Sequence, residues 1–62
     1  MKKVYAVMNS FGMIFNKATK QFEPIRVSDA NAIFDNKDEA NKTLEEQVLN
    51  GYECIVSCVT LG

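Results

Sequence analysis

Sixty-two residues make one small domain, spanning 1–62, and a chain this short buries only about 60% of its unfolded surface, so its stability as a monomer is marginal. An apolar share of 47% excludes a disordered chain, and a net charge of −1 excludes a general attraction to nucleic acid or to acidic membranes. The absence of histidine removes the commonest general acid–base and both the Ser–His and Cys–His nucleophile pairs.

Val4-Tyr5-Ala6-Val7-Met8 is an apolar run of strand length and predicts a first strand from Lys2 or Lys3 to Asn9. Asn9-Ser10-Phe11-Gly12 reads as a turn, and Met13-Ile14-Phe15 as a second strand, antiparallel to the first because the connection is so short. Asn16 to Lys20 is a second polar turn. Gln21-Phe22-Glu23 is a short third strand or an extended arm, held to an edge by Pro24, which has no N–H to donate. Ile25-Arg26-Val27 alternates apolar and basic, and Ser28-Asp29-Ala30-Asn31 reads as loop, with the alternative that Ser28 caps a short helical turn through Ala32. Ile33 or Phe34 then seals the start of the main helix.

That helix is predicted over Lys37–Asn50. Asn36 is its N-cap, accepting from the Glu39 N–H, with the Glu39 carboxylate reaching back. Ala40, Leu44 and Val48, spaced by four, form one apolar edge, and Gly51 is free to take the left-handed conformation that closes a helix. At 1.5 Å per residue the helix is roughly 20 Å long, the length of a six-residue strand. Tyr52 to Leu61 is the clearest strand in the chain. Neither of its faces is strongly polar, which predicts a central strand or one covered on both sides.

Cys54 and Cys58 lie four apart in that strand, roughly 13 Å at about 3.3 Å per residue. Disulfide geometry needs Cα atoms within about 7 Å, so the pair is expected as buried, reduced thiols. Two cysteines and no histidine give no zinc site within one chain, and no other metal or cofactor is expected. The three glycines are isolated and form no phosphate loop.

The order β-β-(β)-α-β predicts an α+β two-layer sandwich, with a three- to four-stranded antiparallel sheet and one long helix. One helix covers one face only. A homodimer that stacks or extends the sheets is expected to cover the other, with Val4, Ala6, Met8, Cys54, Val56 and Cys58 as the dimer or partner face. The alternative is that segment 16–34 folds back over the open face with Phe22 and Ile25 as a lid.

Charge is unevenly spread. Residues 1–22 hold Lys2, Lys3, Lys17 and Lys20 and no acid, while residues 23–62 hold all eight acids against Arg26, Lys37 and Lys42. No apolar run reaches the 18 residues of a membrane helix. Lys2-Lys3 before VYAVMNSFGMIF falls short of a signal peptide, because Asn9, Ser10 and Gly12 interrupt it and no cleavage site follows. A cytoplasmic location is expected.

These residues give two functional expectations. The first is a small non-catalytic protein-interaction module. The alternative is a nucleic-acid-binding module at the basic turn, where Phe15, Lys17, Lys20 and Phe22 interleave charge with aromatic rings. The succession VYAV, GMIF, a Lys-rich turn, AIFDNKDEA and ECIVSCVTL resembles short bacteriophage-type ββαβ proteins. The resemblance implies an inhibitor or regulator that binds a bacterial protein, and it assigns a role to no single residue.

Overall fold

A computed structural model describes residues 2–61. Four strands, β1 (Lys2–Asn9), β2 (Ile14–Asn16), β3 (Gln21–Glu23) and β4 (Cys54–Leu61), form one antiparallel sheet in the order β3-β2-β1-β4. A single α-helix, α1 (Lys37–Leu49), lies across β1 and β4, so the fold is the expected small α+β sheet with one helix.

The register sorts the side chains. Directly opposed residues of an antiparallel pair share a face. Val4, Ala6 and Met8 therefore sit with Val59, Ser57 and Ile55, whereas Tyr5, Val7 and Asn9 sit with Cys58, Val56 and Cys54. Helix α1 covers the Tyr5–Val7 face, where Val7, Phe15, Phe34 and Ala40 are buried with Leu44, Cys54, Val56 and Phe22 against them. The expected partner face is thus divided. Val4, Ala6 and Met8 lie on one side of the sheet, and Cys54, Val56 and Cys58 lie on the helix side. A period of two along each strand, fixed by pairing Val7 with Val56, imposes that split.

The other face is covered from within the chain. Ile25, Val27, Ala32 and Ile33 pack on Ala6, Met8 and Ile14. Ile25 takes the expected place in this lid, but Phe22 does not. Phe22 pairs with Phe15 across β3–β2 and so turns toward the helix side. A 3-10 turn over Ala30–Ala32 buries Ala32 within the lid. Its cap is Asp29, whose carboxylate accepts from the Asn31 N–H at 2.9 Å; Ser28, the expected cap, is one residue too early.

The helix ends follow their local chemistry. The Asn36 side chain accepts from the Asp38 N–H at 2.7 Å, one residue before the expected Glu39 donor. At the other end the Gly51 N–H donates to Val48 O and the Tyr52 N–H to Gln47 O, both at 3.0 Å. Gly51 has φ +93°, the left-handed turn that this double closure needs and that a side chain resists.

β4 is an edge strand with Ile55 and Cys58 exposed, contrary to the expectation that it is central or covered on both sides. Only β1 pairs with it. On β1's other side, Tyr5 exchanges both backbone bonds with Phe34, and the Asn9 N–H donates to Met13 O. Odd-numbered β1 residues therefore turn their backbone groups away from β4, and even-numbered ones turn toward it. It follows that Ile55, Ser57, Val59 and Leu61 bond to β1. The N–H and C=O groups of Cys54, Val56, Cys58 and Thr60 point outward, where no described strand meets them.

Candidate functional site

Single apolar side chains in water are ordinary, but several exposed at one place are informative. Five stand exposed among the described residues: Phe11, Val48, Leu49, Tyr52 and Ile55. All gather at one end of the molecule. Asn9 pairs with Cys54, which brings the β1–β2 turn beside the start of β4, and the C-terminus of α1 enters β4 through Gly51 to Glu53 at the same end. Phe11 and Tyr52 line one shallow cleft there, and Ile55 lines another with Met8 and Ser10. Leu44, Val48 and Leu49 form a third groove.

Each exposure has a local cause. Phe11 sits at the tip of the β1–β2 turn, whose backbone is held by the Asn9 side chain accepting from the Phe11 and Met13 N–H groups at 3.0 and 2.9 Å. That turn presents the ring outward, leaving it 84% exposed. Val48 was expected on the buried edge. Residues spaced by four drift about 40° per step around a helix of 3.6 residues per turn, so Ala40 and Leu44 face the sheet and Val48 has rotated off it. Gln47 takes the inward place and is only 7% exposed. Leu49 follows Val48 around the outer face and is 86% exposed.

Glu53 borders two of the clefts and Glu45 the third, so the rim of this apolar end is acidic. The opposite end is polar. There Lys2 Nζ pairs with Asp35 at 2.9 Å in open solvent, and this hydrogen bond and charge hold the Asp35 carboxyl below its usual range.

Comparison with family models, with curated proteins and with solved structures returned no match.

The residues of the basic turn come together at the β2–β3 hairpin. Phe15 is 3% exposed and meets Phe22 edge-on, centroids 5.8 Å apart. Phe22 in turn lies 5.4 Å from the Tyr52 ring. Lys17 sits over the Phe34 ring at 5.2 Å, and Lys20 occupies a left-handed turn position at φ 62°. A cleft of about 500 Å³ opens between this hairpin and the end of α1, lined by Phe22, Tyr52, Gln47, Lys20 and Glu46. It carries one cation and one anion at its rim and no stacked array of free rings. No cluster of three or more metal-ligating side chains occurs among the described residues. Among the described residues no helix is long and apolar enough to cross a membrane.

Cys54 is half-buried, its thiol directed at Leu44 O at 4.0 Å, and burial pushes that thiol up in pKa. Cys58 is exposed, which corrects the expectation that both thiols are buried. It lies on the helix side of β4, but nearer the strand's far end and beside the open edge.

Sequence reasoning missed Phe11 and Leu49. The signals were an aromatic inside a polar turn and a leucine next to a residue already assigned inward, which no helix can bury on the same narrow edge.

Proposed function

We propose that this protein is a small non-catalytic interaction module that binds another protein through the end formed by Phe11, Val48, Leu49, Tyr52 and Ile55. The observation that carries the reading is the gathering at one end of the five exposed large apolar side chains found among the described residues, with Glu45 and Glu53 beside them. Exposed apolar groups scattered singly need no explanation; several gathered at one end beside acidic side chains suit a binding surface. The chemistry selects the partner: an apolar patch bordered by lysine or arginine, complementary to the acidic rim. Binding there inhibits or redirects the partner by covering its surface, without a reaction. The cytoplasm suits such a module, since reducing conditions keep Cys54 and Cys58 as thiols.

Affinity capture from a bacterial lysate tests this with paired baits. The wild-type chain should retain a protein that Phe11→Ser and Leu49→Ser each release, while Lys20→Ala, at the hairpin, retains it. Both serine variants replace side chains that contribute little to folding, so loss of capture reads as loss of contact. Identical retention by all four baits would sink the proposal, as would selective release by Lys20→Ala together with nuclease treatment.

A further inference from the structure

We propose that the outer edge of β4 pairs antiparallel with β4 of a second copy of this chain, about a two-fold axis at Ser57. This surface is distinct from the apolar end above, apart from Ile55, which borders both.

The starting point is an edge without protection. Natural sheets guard their edges with charge, proline, a bulge, a short strand or a cover. β4 has eight residues, no charged side chain and no proline, and it pairs with β1 without a break from Cys54 to Leu61. The short edge strand on the sheet's other side, β3, has three residues, carries Glu23 and is followed by Pro24. One edge is guarded and the other is not.

The occupant follows from the strand's own sequence. An incoming strand must offer outward backbone groups in the same alternation, an apolar character on both faces and no charge opposite the middle of β4. β4 itself meets all three conditions. Turned about Ser57, the outward-pointing residues oppose one another: Cys54 meets the copy's Thr60, and Val56 meets its Cys58. Those four opposed pairs exchange about eight backbone hydrogen bonds. On the lid side Ile55 comes opposite Val59 of the copy, a β-branched pair in the close, non-hydrogen-bonded position. Ile55 is 64% exposed in the single chain. An axis at Cys58 would give an equal overlap but would pair only Val56, Cys58 and Thr60 of the outward residues, whereas the axis at Ser57 pairs all four and leaves Glu53 beside Leu61 at the outer ends rather than near the middle. Such a pairing is isologous and closes on itself, so it yields a dimer and no fibre. The two apolar ends then point in opposite directions.

Sedimentation equilibrium at high micromolar concentration should give twice the 7.0 kDa chain mass. Ser57→Lys sets like charges face to face at the axis and should raise the dissociation constant roughly tenfold or more, with the far-UV spectrum retained. A second measurement fixes the register and does not depend on how well that variant folds. In a Cys54→Ser, Cys58→Ser background, Ser57→Cys should form a covalent dimer on mild oxidation, because position 57 opposes itself. Thr60→Cys in the same background should not, because position 60 opposes 54. A clean 7.0 kDa species overturns the proposal and means that the edge waits for a foreign strand. A dimer whose oxidation is equal at the two positions, or absent at 57, also overturns it and means that the copies meet elsewhere. Neither result bears on the apolar end, which is read by Phe11→Ser and Leu49→Ser capture.

Discussion

Cys54 and Cys58 share one face of β4, yet their surroundings differ because α1 stops short of covering the strand's whole length. Cys54 lies under Leu44 with its thiol against the helix backbone, and Cys58 lies in water. Burial disfavours the thiolate, which is the reactive form, and raises the Cys54 pKa. In dilute solution, below any concentration of self-association, Cys58 should react quickly with a thiol reagent and Cys54 slowly. Because the Cys54 pKa is raised, its rate should keep climbing at alkaline pH beyond the range of an ordinary thiol. Mass spectrometry of the partly labelled chain, repeated with Cys58→Ser, distinguishes the two sites. Equal rates at both would contradict the burial of Cys54.

At the scale of elements the helix is the clearest case of structure legible in the chain. Its limits were written locally: Asn36 caps the start, though through the Asp38 N–H and not the expected Glu39 pair, and the φ freedom of Gly51 closes the end one residue after Asn50, which is the C-cap and not the last helical residue. Its buried line was less legible, since a spacing of four only approximates the helical period; the structure runs that line through Ala40, Leu44 and Gln47. Leu44→Asp should unfold the domain by placing a charge in the helix–sheet contact. Val48→Asp, by contrast, should change stability by no more than about 0.5 kcal/mol, as surface substitutions do. Urea unfolding of the two variants reads the difference directly, and equal destabilisation would return Val48 to the core. β4 was misread for another reason. An uncharged strand with two apolar faces looks the same whether both sides are covered or one edge is open, because hydrophobic pattern reports side-chain faces and says nothing about backbone edges. The lid was legible only as an alternative to a dimer, with Ile25 placed rightly and Phe22 wrongly: residues 25–33 have no period of two or 3.6, and their apolar members only acquire a common side once the chain has turned back over β1.

For the whole molecule, the decisive feature is that β1 serves two cores at once. Val7 anchors the helix side, and Ala6 anchors the lid side, with no layer between them but the strand itself. A small chain gains from this arrangement, because an irregular lid of some nine residues replaces a second helix or a stacked sheet. It also means that neither core can open alone without exposing β1. Ile25 is half-buried in the lid and far from α1 in sequence. Ile25→Ala should therefore cost about 1–2 kcal/mol, less than the same truncation in a closed core. The loss should appear across the whole fold. Tyrosine fluorescence reports the helix side, where Tyr5 packs on the core and Tyr52 meets Phe22, and far-UV circular dichroism reports sheet and helix together. In the variant, both urea transitions should shift to the same lower midpoint and still coincide, as a two-state domain requires. A lid that merely rests on an independently stable sheet and helix gives a different result: both midpoints stay at the wild-type value while the lid alone becomes accessible to protease.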